Sequence, residues 1–305
     1  MICKHISIKP YEFPLVRTME INSIKLHTRR GLIITLTDSS GKTAQGEISP
    51  LPGLHKETLA QALAQVKSIH AEHLNDHLKG SDLFASVRCG LEMACMQMQW
   101  PQEEKLCKVK LNALVMAHEQ GFIDEALNLA DQGYESIKVK VGRQDLKRDI
   151  DAVIQLRDRL ENRVFLRLDA NRGWNMDQAF FFAQQVTTKS IEYIEEPLNT
   201  WQDLPEFYDR TGFAFALDET LAEFVPAGMP VISGCAGFIL KPAVLGSLNM
   251  VLQYIDLAKQ RHIAPVLSSV FEGLIALEFY KRLACICHIE NTPHGLDTWR
   301  WYKIP

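Results

Sequence analysis

Five segments of the sequence place lysines and carboxylates at similar intervals. They are Lys138-Val139-Lys140, Asp169-Ala170-Asn171, Glu195-Glu196-Pro197, Asp218-Glu219 and Lys241-Pro242, and successive segments lie roughly 25 residues apart. Acidic groups that converge in one site can bind a divalent metal ion, and amines beside them can move protons. The pattern therefore indicates metal-assisted removal of a proton from carbon.

Asp169, Glu195 and Asp218 are the candidate metal ligands. If these carboxylates meet in a site of low dielectric, they repel one another strongly unless a cation is present. Oxygen ligands alone favour a hard divalent ion, and no neighbouring histidine or cysteine offers a zinc-type set. We therefore predict that the three carboxylates bind one Mg²⁺.

The lysines are the candidate acid–base groups. Lys138 and Lys140 are two residues apart on a predicted strand, so both side chains point to the same face. Neighbouring ammonium groups and a metal ion lower the pKa of a lysine, which makes a neutral amine, and hence a general base, accessible. Lys241 would lie across the same mouth. A substrate carboxylate on the metal would then have its α-proton between amines, and the metal would stabilise the enediolate formed.

These residues require repeated βα units to bring them together. The predicted strands are short apolar runs at 109–116, 136–141, 164–168, 191–194, 213–217, 237–240 and 263–267, and residues 292–301 could supply one more. Amphipathic stretches such as 146–160 and 245–259 separate them and predict helices. Such alternation predicts a parallel sheet, open or closed into a barrel. The charged residues follow the carboxyl ends of the strands, which is where a (β/α) barrel builds its active site.

The first 105 residues have a different pattern. Two β-branched runs at 31–37 and 43–48 flank a turn signal at 38–42, which predicts a hairpin. Residues 56–99 carry apolar residues at helical spacing. Strands followed by helices predict a separate α+β domain over residues 1–105, and the βα units predict a second domain over 106–305.

Composition excludes several classes of protein. The 305 residues are 47% hydrophobic and 23% charged, which is typical of a globular chain that buries a core without disulfides. A net charge of −4 argues against a nucleic-acid partner, and no run of about 18 apolar residues predicts a membrane span. The start lacks the apolar segment of a signal peptide. Seven cysteines without a C-x-x-C spacing predict reduced thiols, so we expect a cytoplasmic protein. The sequence shows no evident obligate protein partner.

The ordered set of motifs resembles the enolase superfamily and, within it, the o-succinylbenzoate synthase family of menaquinone biosynthesis, proteobacterial type. The resemblance covers nearly the whole chain. The segments that carry it are Gly46-Glu47-Ile48-Ser49-Pro50-Leu51-Pro52-Gly53, Lys138-Val139-Lys140-Val141-Gly142, Arg167-Leu168-Asp169-Ala170-Asn171-Arg172, Glu195-Glu196-Pro197, Lys241-Pro242, Ser268-Ser269 and Gly295-Leu296-Asp297-Thr298.

The resemblance implies a modified (β/α) TIM-type barrel with an α+β capping domain that C-terminal residues complete. It implies dehydration of 2-succinyl-6-hydroxy-2,4-cyclohexadiene-1-carboxylate, a small-molecule carboxylate, to o-succinylbenzoate. Asp169, Glu195 and Asp218 would hold the Mg²⁺. Lys140 would remove the α-proton and then, protonated, release hydroxide. Lys241 would face the other side of the enediolate.

Supporting roles follow from the same resemblance. Lys138 would tune Lys140, and Arg167 and Asn171 would lie beside the metal ligands. The residues that would line the succinyl end are Ser268, Ser269, Gly295 and Leu296, and the loop of Gly53 would close from the capping domain. By strand alternation, Glu196 and Glu219 would point away from the site, with positioning or structural roles. Arg29 or Arg30 would reach a substrate carboxylate or lie at a solvated hairpin edge.

Two alternative functions stay open. Lysines on both faces of the substrate also suit an N-acyl amino acid racemase or a dipeptide epimerase of the same superfamily. Dipeptide epimerases carry two acidic residues near the final strand, whereas this sequence has only Asp297 there. A non-catalytic barrel that binds a small acid is the third possibility, and it would tolerate loss of the inward lysines and carboxylates.

Overall fold

The computed structural model describes residues 3–101, 107–116, 119–142 and 145–303. Up to residue 101 the chain forms an antiparallel sheet of β1 (Cys3–Ile21), β2 (Ile24–Asp38) and β3 (Thr43–Ile48), followed by helices α1 (Leu59–Ser68), α2 (Leu74–Lys79) and α3 (Ala85–Gln99). We call this part the capping domain. The predicted hairpin is confirmed, with β2 paired to β3.

The core of the capping domain lies between its sheet and α3. Alternate residues of β2, among them Leu32 and Ile34, are buried there because successive side chains of a strand point to opposite faces. The strand and helix approach closely at Gly46 and Gly90: a Cβ on Gly46 would lie 1.9 Å from the carbonyl oxygen of Gly90. Glycine is therefore required at this crossing.

The rest of the chain alternates strands and helices. In order these are β4 (Ala113–Val115), α4 (Phe122–Asp131), β5 (Ser136–Lys140), α5 (Leu146–Leu160), β6 (Phe165–Asp169), α6 (Met176–Gln185), β7 (Ile191–Glu195), α7 (Leu204–Thr211), β8 (Phe215–Leu217), β9 (Cys235–Leu240), α8 (Pro242–Leu245), α9 (Leu248–Gln260), β10 (Ala264–Leu267) and α10 (Leu274–Ile286). Short 3₁₀ turns lie at Ala71–His73, Trp201–Asp203, Glu219–Glu223, Pro226–Gly228 and Thr298–Trp301. In the described part of the chain, β4 to β10 form one parallel sheet in sequence order.

The C-terminal segment closes this sheet into a barrel. His294 bridges Leu111 before β4, and Gly295 bridges Ser268 after β10, both in parallel orientation. The backbone N–H of Gly295 also donates to the carbonyl of Leu267. The predicted barrel and the predicted use of residues 292–301 to complete it are therefore confirmed.

The end of the chain then returns to the capping domain. Tyr302 bridges Leu15 of β1, and the backbone N–H of Lys303 donates to the carbonyl of Pro14. The predicted boundary between residues 105 and 106 lies outside the described residues, and the two domain ranges stay a prediction.

A buried polar joint connects the two parts. Arg29 of β2 is 2% exposed, and its guanidinium donates to the carbonyls of Pro50 and Ser49 in its own domain and of Val270 and Phe271 in the barrel. Both expectations for Arg29, a substrate contact or a solvated edge, are therefore wrong, because backbone carbonyls from three segments surround it. Arg30 instead pairs with Glu12 at the exposed edge.

The prediction of uniformly reduced thiols is also wrong. Cys107 and Cys285 form a disulfide that ties the segment after the capping domain to α10. The two cysteines are 178 residues apart, so only the closure of the barrel brings them together and local spacing carries no signal. Within the described ranges, none of the helices has the length and apolar character needed to cross a membrane.

Candidate active site

A cavity of about 710 Å³ lies between the carboxyl ends of the barrel strands and the capping domain. The barrel contributes charged and polar side chains to its wall: Lys138, Lys140, Asn171, Glu219, Lys241, Ser268, Ser269 and Asp297. The capping domain contributes the β1–β2 turn with Glu20–Ser23 and the loop residues Leu51 and Leu54. The predicted location of the site at the carboxyl rim of the strands matches this cavity.

Strand register sets the height of the charged residues. Lys140, Asp169 and Glu195 are direct partners on β5, β6 and β7, so their side chains leave the sheet at one level. Asp169 is fully buried and Glu195 is 1% exposed, whereas Asp218 follows the end of β8. Carboxylates buried side by side in this way require cations close to them.

Lys138 supplies one such cation. Its Nζ lies 2.7 Å from Oδ2 of Asp169 and donates to both carboxylate oxygens of Glu195 at 2.8 and 2.7 Å. Burial opposes the charged form of Lys138, but the two carboxylates outweigh it and raise the pKa of this lysine well above its usual value. Burial and the charges of Asp169 and Asp218 raise the pKa of Glu195.

Lys140 lies in a different electrostatic environment. Its Nζ is 2.6 Å from Oδ2 of Asp169 and 2.7 Å from Oδ1 of Asn171. Burial lowers the pKa of Lys140, and the ammonium groups of Lys138 and Lys241 act in the same direction against the attraction of Asp169. The two lysines of one strand therefore differ, because Lys138 is held as a cation while Lys140 loses its proton more readily.

Lys241 contacts the carboxylate of Asp218 across the mouth. Burial opposes its charge, but Asp218 and Glu195 raise the pKa of Lys241, so it stays a cation. Glu219 lines the same cavity, which corrects the expectation that it points away. Alternation does not apply to it because β8 ends at Leu217 and a 3₁₀ turn begins at Glu219. Its Oε2 has no hydrogen-bond partner among the described residues.

Arg167 is not beside the carboxylates of the rim. Its backbone is paired with that of Lys138 on β5. Its guanidinium, however, donates hydrogen bonds to Glu192, to Asn112 and to the carbonyl of Pro293, near the amino ends of the strands. Its plane also lies over the ring of Tyr193, 5.1 Å from the centroid. Arg167 therefore packs in the barrel interior, where Glu192, Asn112 and the carbonyl of Pro293 hold its guanidinium.

The residues expected to line the succinyl end divide into two groups. Ser268, Ser269 and Gly295 line the cavity, with Ser269 Oγ 2.7 Å from Oγ1 of Thr298. A Cβ on Gly295 would lie 2.7 Å from Ser268 Oγ, so glycine is required beside this hydroxyl. Leu296 is 1% exposed and packs in the barrel core, because its side chain points away from the cavity.

Gly53 links two loops of the capping domain. Its φ of +84° favours glycine, and a Cβ there would lie 2.8 Å from the carbonyl oxygen of Ile21. Its own carbonyl accepts a hydrogen bond from Nδ2 of Asn22 at 2.7 Å. The β1–β2 turn thus reaches the cavity together with the Gly53 loop. Sequence reasoning did not place this turn, whose one signal is Asn22, since asparagine tolerates the left-handed backbone found there, with φ of +46°.

The donor set fits a hard divalent ion in its chemistry. Asp169 and Glu195 converge on one ammonium group, and Asp218 holds a second, so each carboxylate lies where a cation is favourable. Within the described residues, no group of acidic, histidine or cysteine side chains is already arranged to hold a metal. The carboxylates of Asp169, Glu195 and Asp218 are therefore the oxygen ligands that would hold such an ion.

Comparison with known proteins identifies the class first. Residues 121–302 match the family model described as "Enolase C-terminal domain-like", and residues 3–98 match the model described as "MenC, N-terminal domain". The first model covers more than half of the chain and, with the barrel, defines an enolase-superfamily protein.

Curated relatives then identify the family within this superfamily. The o-succinylbenzoate synthase of Vibrio cholerae serotype O1 (strain M66-2) is 32% identical over 97% of this chain and 89% of its own length. That of Aliivibrio salmonicida is 33% identical over 99% of this chain and 92% of its own length. The chain therefore belongs to the o-succinylbenzoate synthase family, whose members are lyases of menaquinone biosynthesis, as its motifs predicted.

Solved structures share the fold. An o-succinylbenzoate synthase from Thermosynechococcus elongatus BP-1, complexed with Mg in the active site, has a TM-score of 0.77 at 24% identity over 98% of this chain and 95% of its own. A substrate-liganded L-Ala-D/L-Glu epimerase from Bacillus subtilis has a TM-score of 0.83 at 18% identity over 100% of this chain and 92% of its own. At these identities the likeness confirms the enolase-like architecture and no more.

Proposed function

We propose that this enzyme dehydrates 2-succinyl-6-hydroxy-2,4-cyclohexadiene-1-carboxylate to o-succinylbenzoate, with Lys140 as its acid–base group and one Mg²⁺ as cofactor. The observation that carries the proposal is the pair of lysines on β5. Lys138 is held as a cation between Asp169 and Glu195, and Lys140 beside it has a lowered pKa. The family assignment supports the substrate and product.

Lys140 performs both proton transfers in this proposal. Its neutral Nζ takes the proton from the ring carbon that bears the carboxylate, and the electron pair of the C–H bond moves toward that carboxylate to give the enediolate. The pair returns to form the last double bond of the aromatic ring as the hydroxyl group leaves. The bond to the hydroxyl group then breaks, and protonated Lys140 returns its proton to the departing oxygen, so that water leaves and Lys140 is neutral again. Because the product ring is aromatic, the elimination is strongly favourable overall. The difficult step is therefore the removal of the carbon-bound proton.

Charged groups around the substrate stabilise the enediolate that proton removal creates. Lys241 stays an ammonium because Asp218 lies against it, and it contributes a fixed positive charge to the cavity. Asp169, Glu195 and Asp218 would hold the Mg²⁺, which when bound supplies positive charge to the substrate carboxylate. The metal reported for the Thermosynechococcus enzyme supports this cofactor.

The upper wall of the cavity would hold the succinyl group. Ser268 and Ser269 offer hydroxyl groups there, and Leu51 and Leu54 of the capping domain cover the opening. Asn171 keeps Lys140 in place through its 2.7 Å hydrogen bond. Arg167 has a structural role in the lower barrel.

Racemisation of N-acyl amino acids is the second candidate, because Lys140 and Lys241 both line the cavity and a two-base reaction needs an amine on each side. Epimerisation of dipeptides has less support. Such substrates carry an ammonium group, and Asp297, the acidic residue of the final barrel segment, already hydrogen-bonds Tyr134 and lies 3.1 Å from Nε of Arg300.

One assay separates these functions. Purified protein is incubated with the cyclohexadiene substrate, with and without EDTA, and in parallel with a panel of N-succinyl amino acids. We expect the ultraviolet change of aromatisation, its loss in EDTA and its return with Mg²⁺. Turnover of the amino acids without aromatisation would reject the dehydratase, and no turnover of either class would favour a binding protein.

A further inference from the structure

The ends of β6, β7 and β8 are connected by a second set of side chains behind the rim carboxylates. Glu196, which follows Glu195, is 1% exposed although it has a charged side chain. Its backbone is left-handed, with φ of +43°, so its side chain turns toward the next strand end. A buried glutamate in this conformation needs partners that hold it.

Those partners belong to the segment that begins with Asp218. Oε1 of Glu196 accepts hydrogen bonds from the backbone N–H of Asp218 and of Thr220, both at 2.8 Å. Oε2 accepts one from Oγ1 of Thr220 at 2.9 Å. One carboxylate thus holds the residues on either side of Glu219.

Arg172, from the end of β6, completes the arrangement. Its Nε donates to Oε2 of Glu196 at 3.2 Å, and its Nη2 donates to Oγ1 of Thr220 at 2.7 Å. Its backbone N–H donates to the carbonyl of Glu196 at 2.8 Å. Arg172 is also left-handed, with φ of +59°. The three strand ends that carry the rim carboxylates are therefore fixed to one another from behind.

The chain changes direction sharply at Asp218, whose φ of −124° and ψ of −83° belong to neither a strand nor a helix. The side chain of Asp218 meets Lys241 at the cavity wall only while this turn keeps its shape. The backbone N–H groups of Asp218 and Thr220 in this turn both donate to Oε1 of Glu196. That oxygen therefore determines where the carboxylate of Asp218 points.

We propose that Glu196 is a positioning residue that orients Asp218 for cation binding, with Arg172 as its anchor. This inference rests on the proposed role of Asp218 as a metal ligand. Glu196 acts through hydrogen bonds to the backbone, and its charge matters only for the contact with Arg172. Residues that orient metal ligands typically change metal affinity about 10–100-fold when they are replaced.

The test measures Mg²⁺ binding to the full-length protein by calorimetry, without substrate. Glu196→Gln keeps an oxygen at the position that accepts both N–H groups, so we expect its dissociation constant to stay within about threefold of the wild type. Glu196→Asp keeps the charge, but its shorter side chain does not reach both groups, so we expect weakening of about tenfold or more. Glu196→Ala should weaken binding at least as much.

Glu47→Ala is the matched control. Glu47 is also a buried glutamate whose carboxylate accepts backbone N–H groups, but it lies in the joint between the capping domain and the barrel. This variant should lose thermal stability and keep the Mg²⁺ affinity of the wild type. Circular dichroism checks that every variant is folded at the temperature of the titration.

The possible outcomes separate two failures. Wild-type affinity in Glu196→Asp, or an equal loss in Glu196→Gln and Glu196→Ala, would overturn the positioning role and leave the proposed function intact. Equal weakening in Glu47→Ala would also overturn it, because general loosening would then explain the effect. No Mg²⁺ binding by the wild type would defeat the proposed metal site, and the inference with it. If Glu196→Ala does not fold, the contrast between Asp and Gln still decides.

Discussion

At the scale of the residue, the two lysines of β5 show how position changes the chemistry of one functional group. They are two residues apart and share the cavity, yet Lys138 contacts two carboxylates while Lys140 contacts one carboxylate and an amide. The pKa of Lys138 is raised and that of Lys140 is lowered. This difference supports Lys140 as the base in the proposed reaction.

Replacement of Lys140 by alanine should reduce the dehydration rate by about 10²–10⁴-fold, which is the usual contribution of a general acid–base group. The fold should remain, because the neighbouring Asp169 keeps its contact with Lys138. The aromatisation assay and circular dichroism measure both effects. Lys281→Ala, which removes a surface lysine paired with Glu278, is the control and should keep full activity. Substantial turnover by Lys140→Ala would remove this lysine from its assigned role.

Asp218→Asn tests the ligand set independently of the assay. The amide has no negative charge, so the variant should bind Mg²⁺ about tenfold or more weakly in calorimetric titration. An unchanged dissociation constant would reject Asp218 as a ligand.

The residues that sequence reasoning located are those that follow a strand directly. Asp169, Glu195 and Lys241 end or follow apolar runs, so strand register alone predicts their convergence. Glu219 was wrongly placed because alternation fails where β8 has ended, and Leu296, assigned through the family resemblance, packs in the core instead. Arg29 and Glu47 were missed as parts of the joint, because their partners are backbone groups about 220 to 240 residues away that carry no sequence signal.

At the scale of the element, a side chain of the capping domain caps the N-terminus of α10. Helix N-termini leave backbone N–H groups without partners inside the helix. Here Oε1 of Glu47 accepts from the N–H of Gly273 at 2.5 Å, and Oε2 accepts from that of Ala276 at 3.1 Å. One domain therefore caps a helix of the other, next to the loop with Ser268 and Ser269.

Glu47→Ala should lower the free energy of unfolding by about 1–3 kcal/mol, because it leaves buried N–H groups without an acceptor. Urea unfolding measures the loss. Glu47→Gln, which retains acceptor oxygen, should recover part of it. A stability equal to that of the wild type in Glu47→Ala would show that water satisfies these groups and that the joint does not depend on Glu47.

The barrel-closing segment gives the protein a pH dependence. His294 is fully buried, its Nδ1 accepts from the backbone N–H of Leu267, and burial lowers its pKa to about 4. Its pKa in an unfolded chain is about 6.5. The neutral ring is therefore favoured in the folded state, so stability is complete above about pH 6.5 and decreases as the pH falls toward 4.

Between pH 7.5 and pH 5 this histidine should cost about 2 kcal/mol of stability. Urea titrations of the wild type and His294→Asn at both pH values measure it, because asparagine keeps an acceptor and does not titrate. The variant should be less stable at pH 7.5 but should lose about 2 kcal/mol less on acidification. Equal losses in the two proteins would assign the pH dependence to other groups.

At the scale of the whole molecule, the disulfide between Cys107 and Cys285 links two parts that the chain separates widely. All seven cysteines lie in the described ranges, and the other five are free. Thiol titration of the denatured protein should thus detect five thiols without reductant and seven after reduction. Seven thiols in both samples would show that the bond is absent from the isolated protein.

Loss of this bond should lower stability by about 2–4 kcal/mol. Cys285→Ser is the direct variant, and reductant should lower the Tm of the wild type but not that of Cys285→Ser. Cys287→Ser, which changes a free thiol two residues away, serves as the control.

The position of His294 and Gly295 between the first and last barrel strands has a consequence for how the protein is made. Neither the ring of strands nor the contact of Tyr302 with β1 can form until this stretch has left the ribosome. Any barrel strands that pair during translation therefore expose a sheet edge, open to contact with neighbouring polypeptides, until synthesis has passed these residues.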